Sequence, residues 1–193
     1  MKTSTLLRPL FSRTALGGLL LGAAAASAQV PGTELTEEES LALVQQTCFG
    51  MAPTLTGSGT LTGTEGNDVI IGSGGADIID GLGGNDLICG AGGNDTLSGG
   101  PDRDSLSGGP GNDRLLGNGG MDQLVGGRND DVLRGGVGDD VMRGGRDTDD
   151  LNGEAGADSL TGGAGVDVCD GGVSDPAQDK ADANSCEFIR NVP

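Results

Sequence analysis

The sequence predicts an all-β protein, a parallel β-solenoid of about six stacked coils with short terminal caps. Three observations predict it. Glycine recurs at every ninth residue from Gly63 to Gly162, aspartate fills the sixth position of all twelve nonapeptides, and the eighth is Ile, Leu or Met in eleven of them. A fixed period held in three columns is the mark of a repeat architecture, in which each unit buries its apolar face only by stacking on the next.

The chain has 193 residues and opens like an exported protein. Lys2, Arg8 and Arg13 make a positive start, an apolar stretch runs from Ala15 to about Ala26, and "ASA" at 26–28 has the small residues of a cleavage site. Residues 1–28 therefore read as a signal peptide, cut after Ala28. The alternative, a transmembrane anchor, is disfavoured because the run is too short and too rich in Gly and Ala. The protein is then expected to be secreted and extracellular, where disulfides form. The net charge of −18 excludes a basic surface for nucleic acid, and loss of the three cations makes the chain more acidic. Its carboxylates call for cations instead.

Residues 29–62 read as a leader and an N-terminal cap. "TEEESLALVQQ" from Thr36 carries a capping-box pattern, Thr36 with Glu39, and Leu41, Val44 and Cys48 then share one helical face. A short helix there and a disordered leader are both compatible with this stretch. "FGMAPTLTGSGTLT" at 49–62 looks like a degenerate first turn.

Residues 63–170 hold the repeats. The chain contains 40 Gly and 3 Phe and no Trp, Tyr or His, so its core is thin and aliphatic. Glycine-rich runs make tight turns. Three residues per repeat remain for a short strand, and alternation points the eighth position inward. Two repeats then make one coil. One inward ladder is Ile70, Ile88, Leu106, Leu124, Met142 and Leu160; the other is Ile79, Leu97, Leu115, Leu133, Leu151 and Cys169.

The sixth column comprises Asp68, Asp77, Asp86, Asp95, Asp104, Asp113, Asp122, Asp131, Asp140, Asp149, Asp158 and Asp167. Coils stacked about 4.8 Å apart set each carboxylate near its like. Such a pair costs on the order of 1 kcal/mol even in water. A divalent cation between adjacent turns reverses the sign. Two carboxylates with turn carbonyls form an all-oxygen cage, which suits Ca2+ better than Mg2+. Zinc and copper are disfavoured without His and with few Cys. Up to about ten ions, one between each stacked Asp pair, would bring the chain close to neutrality, and binding them is then also folding.

The columns match the signature GGxGxDxUx. The protein resembles the RTX, or haemolysin-type, calcium-binding repeat proteins over residues 63–170. The resemblance implies a right-handed parallel β-roll, with Ca2+ held between turns by the sixth-position Asp and by backbone carbonyls such as those of Gly81, Gly83, Gly90 and Gly92. There are departures. The fourth position is Asp102, Asn129 and Asp147 in three repeats, Arg128 and Arg146 put a cation in the turn, and Pro101 and Pro110 stiffen it. Sites there are expected to be weaker. The large enzyme or toxin module of many relatives has no counterpart in these residues, so no toxin reading follows.

Four cysteines allow three pairings. Cys48 lies before the first coil and Cys89 ends the second, while Cys169 and Cys186 flank the other end. The ends are about 20 Å or more apart, and a disulfide needs Cα atoms within about 7 Å. The expected bonds are Cys48–Cys89 and Cys169–Cys186, each pinning a cap that a solenoid needs. Residues 171–193 form the C-terminal cap, where Asp179 and Asp182 could complete a last site although "GGVSDPAQD" breaks the register.

An enzyme is not expected. Without His there is no Ser-His-Asp or Cys-His pair, and beyond residue 28 Lys180 is the only lysine. Asp95 stands where a G-x-G-x-x-G loop after Gly90 needs its third glycine, and Leu151 stands at an EF-hand ligand position after Asp147. Two functional classes remain: a calcium-loaded structural or cell-surface/matrix binding module, and a solenoid whose outer face recognises polysaccharide or another extended surface. An extracellular calcium buffer is a variant of the first. Flat recognition needs a regular outward ladder, and the seventh column, from Val69 and Ile78 through Arg114 and Gln123 to Val168, is irregular. The first class is favoured.

Overall fold

The structure, a computed structural model, describes residues 47–172, 180–181, 186 and 188–190. The signal peptide, most of the proposed N-terminal helix, Asp179 and Asp182 lie outside these residues. Every element among the described residues is a strand. No helix there is long and apolar enough to cross a membrane.

The strands form two parallel eight-stranded sheets, a β-roll. The first sheet runs Leu55–Thr56, Val69–Ile71, Leu87–Cys89, Ser105–Pro110, Gln123–Arg128, Val141–Arg146, Ser159–Ala164 and Lys180–Ala181. The second runs Thr60–Thr62, Ile78–Asp80, Thr96–Gly100, Arg114–Gly119, Val132–Val137, Asp150–Ala155, Val168–Asp170 and Phe188–Arg190. The chain alternates between sheets, so sequential strands face each other and strands two apart pair. Register follows the period: Ile70 pairs with Ile88, Ile88 with Leu106, Leu115 with Leu133 and Leu133 with Leu151.

The eighth-position residues form the core. Ile70, Ile79, Ile88, Leu97, Leu106, Leu115, Leu124, Leu133, Met142, Leu151, Leu160 and Cys169 are all buried. Leu61 extends one ladder toward the N-terminus, and Leu55 and Ala181 pack against the ends of the other.

The solenoid departs from the sequence reading in three ways. It is longer than six coils, because the segments read as caps add a strand to each sheet at both ends. The offset slips there: Leu55 pairs with Ile70, Ser159 with Lys180 and Val168 with Phe188. Secondly, strands are not three residues throughout. From Thr96 to Ala164 they run five or six residues, carrying pairing into the glycines of the next repeat and shortening the turn. Left-handed backbone at the second position, as at Gly109 (φ 111°), lets the chain kink without losing the ladder. Thirdly, Cys48 is not on a helix: it makes an antiparallel bridge with Met51 across a tight turn in which Phe49 and Gly50 have φ of 50° and 82°.

Two disulfides close the ends, Cys48–Cys89 and Cys169–Cys186, each with Cα atoms 5.8 Å apart. No free cysteine remains among the described residues.

Candidate metal centre

The first and sixth columns of the repeat explain each other. Each sixth-position Asp follows the turn and sends its carboxyl inward, beside the first glycine of its own repeat. A Cβ on Gly81 would collide with Asp86 Oδ2 and with the Gly99 carbonyl oxygen of the next coil. At Gly117 the same point lies 2.5 Å from both Asp122 Oδ2 and the Gly135 carbonyl oxygen. Glycine is required there because the carboxylate takes the space a side chain would fill.

The Asp column is therefore interior. The eleven residues from Asp77 to Asp167 are buried, at most 2 % exposed, whereas Asp68 is half-buried. The section through the roll has aliphatic side chains at its centre and a file of carboxylates along each edge.

Neighbouring carboxylates are linked through the backbone. From Asp86 onward, Oδ1 of each sixth-position Asp accepts the N–H of the Asp one coil earlier. The ladder runs from Asp68 to Asp86, Asp104, Asp122, Asp140 and Asp158 on one edge, and from Asp77 to Asp95, Asp113, Asp131, Asp149 and Asp167 on the other, at 2.8–2.9 Å. These bonds satisfy one oxygen only. Oδ2 of Asp86, Asp95, Asp104, Asp113, Asp122, Asp131, Asp140 and Asp149 is buried with no hydrogen-bond partner. Burying a charged oxygen unpaired is costly, and the group responds by holding its proton.

The acidities agree. Burial, reinforced by carboxylates in neighbouring coils, pushes Asp104, Asp131, Asp140 and Asp149 up to about 7. Burial likewise pushes Asp86 and Asp95 up to about 6 and raises Asp113 and Asp122. Asp68 and Asp77 go the other way. Burial raises them too, but donors from Thr64 and Thr54, and from Ser73 and Gly59, outweigh it and bring both below the ordinary carboxylate value.

An orphaned anionic oxygen beside a carbonyl oxygen needs a positive charge between them. The donors are all hard oxygens, which fits Ca2+. Among the described residues no three acidic, Cys or His side chains converge, so backbone carbonyls must supply most of any coordination. The carbonyls of Gly99, Gly108, Gly135 and Gly153 stand beside Asp86, Asp95, Asp122 and Asp140 respectively.

Thr64 and Ser73 were not singled out by sequence reasoning. The signal was present: they are the only hydroxyl residues in the second column, and each lies four residues before its Asp. Arg134 and Asp150, one coil apart on the outer face, make a 3.0 Å ion pair that the sequence pattern also did not single out.

Fold and carboxylate columns together define a repeat solenoid with a file of buried carboxylates along each edge. The RTX calcium-binding nonapeptide repeat matches in four copies, at residues 54–88, 90–120, 116–151 and 144–175. The chain belongs to this family. Its repeats bind calcium, and a roll of this kind is typically a structural module without catalysis. No curated protein sequence matches the chain.

Proposed function

We propose that this is a secreted calcium-binding protein whose roll folds on Ca2+ and serves as a structural or cell-surface/matrix binding module. One observation carries the reading: eight buried carboxylate oxygens in two files, none with a hydrogen-bond partner. The sixth-position Asp residues from Asp86 onward, eight of which carry a buried Oδ2 without a donor, are the side-chain ligands, and turn glycine carbonyls complete the shell. The ion supplies charge compensation inside the roll; the chain's own residues supply the files that hold it. Residues 1–28 are the signal peptide, 29–62 the leader and cap, 63–170 the calcium roll and 171–193 the second cap. Both disulfides suit an oxidising location. The outward residues of the strands form no repeated ladder, which counts against recognition of a regular lattice. A groove at Gly109, Pro110, Gly127, Arg128 and Arg146 places two guanidinium groups together on the acidic chain. It suits an anionic matrix polymer.

The test is a Ca2+ titration of the oxidised, chelated protein followed by far-UV circular dichroism. A cooperative gain of β signal that Mg2+ does not reproduce is expected. A chain fully folded in chelator, or unmoved by millimolar Ca2+, sinks the reading. Retention on an anionic polysaccharide matrix, released by chelation, separates the binding module from a soluble buffer.

A further inference from the structure

The first coil is built unlike the rest. In all ten nonapeptides from Gly81 onward, the second and fourth positions have left-handed φ, from Leu82 (74°) and Gly84 (98°) to Gly163 (118°) and Gly165 (154°). Seven of these are not glycine: Leu82, Ala91, Asp102, Asn118, Asn129, Asp147 and Glu154. Asp and Asn tolerate the left-handed region, but Leu82, Ala91 and Glu154 meet its full steric cost. A strained turn repeated this often needs a compensating interaction. The first two nonapeptides hold no left-handed residue at all: Thr64, Gly66, Ser73 and Gly75 are absent from that region.

The carboxylates change at the same boundary. Asp68 Oδ2 accepts the Thr64 N–H at 2.7 Å and the Thr64 hydroxyl at 2.9 Å, while Oδ1 accepts the Thr54 hydroxyl at 3.0 Å. Asp77 Oδ2 accepts the Ser73 N–H at 2.6 Å and the Ser73 hydroxyl at 2.9 Å, while Oδ1 accepts the Gly59 N–H. Both oxygens of both groups thus have donors. A cation at either would have to displace them, and N–H groups aimed at a carboxylate repel a cation. The Cys48–Cys89 disulfide closes a loop that contains this entire coil.

We infer that the first coil, residues 63–80, is a calcium-independent cap in which Thr64 and Ser73 take the place of ions, and that the calcium files begin at Asp86 and Asp95. This rests on the reading of the Asp columns as ligands. It changes the count. Asp86, Asp104, Asp122, Asp140 and Asp158 leave four gaps on one edge, and Asp95, Asp113, Asp131, Asp149 and Asp167 leave four on the other. The protein then takes eight ions where the sequence pattern alone suggests up to about ten. It also gives the roll a folded end against which the metal-dependent coils can stack.

Equilibrium dialysis of the oxidised protein at saturating Ca2+ counts the ions, and hydrogen exchange in chelator reads the coil. Eight ions per chain are expected. In chelator, the Thr64, Ser73 and Ile78 amides should exchange at least about ten-fold more slowly than those of Ser105, Gln123 and Val141. The Thr64→Val, Ser73→Ala double variant should lose that difference and keep eight ions. Asp77→Asn should also keep eight, whereas Asp113→Asn should lose two. Ten ions in the unaltered protein, an ion lost on Asp77→Asn, or equal exchange of the two amide sets overturns this inference and leaves the proposed function standing. A chain that takes up no Ca2+ overturns the proposed function, and this count with it.

Discussion

A buried carboxylate with one satisfied oxygen has an effect on stability whose sign depends on the ion. Asp122 shows it. Its Oδ1 accepts the Asp104 N–H from the preceding coil, and its buried Oδ2, without a hydrogen-bond partner, stands beside the Gly135 carbonyl oxygen. Asp122→Asn keeps shape and the Oδ1 acceptor, but puts an amide N–H against that carbonyl. In chelator the variant should be more stable than the parent by on the order of 1 kcal/mol, because a repulsion becomes a hydrogen bond. In Ca2+ it should be less stable, because a charged ligand is gone. Urea melts of both proteins in both conditions check this. A variant that loses stability equally with and without Ca2+ would show that Asp122 is a packing residue and no ligand.

At the scale of elements, coil ends are the weak points, and the two disulfides are not equal there. Cys48–Cys89 spans 41 residues and Cys169–Cys186 spans 17. The loop-entropy model gives about 4 kcal/mol for the first and about 3 kcal/mol for the second. The double serine variant at Cys48 and Cys89 should lower the urea midpoint in saturating Ca2+ more than the variant at Cys169 and Cys186; the reverse order would place the fragile end at the C-terminus. The pairing itself was legible in the sequence, because a solenoid turns sequence position into distance along an axis. The Ile70 and Ile79 ladders were legible for a like reason: a period of nine fixes which residues stack. The side on which Asp86 sits was not. Periodicity names a column but not its direction. The direction is set by a space, the missing Cβ of Gly81, that shows only once the turn is built. Thr64 and Ser73 were hidden in another way. They occupy two of twelve places in a column dominated by other residues, and a reading by majority passes over the exception. The strands at Leu55–Thr56 and Lys180–Ala181 escaped because their offsets depart from the repeat.

The whole molecule sums these carboxylates into a pH dependence with opposite signs in the two metal states. Asp104, Asp131, Asp140 and Asp149 titrate near 7 in the roll, against an ordinary value of 3.8. A raised acid holds its proton more tightly folded than unfolded. Without metal, the penalty for ionising these groups is absent below the ordinary carboxylate value. It grows as pH rises through the window up to about 7 and is complete above it. The metal-free roll should therefore gain β signal as pH falls from 8 to 5, with chelator present throughout. Calcium reverses the direction. It binds the ionised form, so protons compete with it, and the Ca2+ concentration at the folding midpoint should rise as pH falls over the same range. Asp68 and Asp77, already lowered by their hydroxyl and amide donors, contribute to neither trend in this window. Circular dichroism at a series of pH values, with chelator and across a Ca2+ titration, measures both. If the metal-free chain instead loses β signal on acidification, the interior carboxylates are ionised without cost in the roll. The electrostatic link between its fold and its metal then fails.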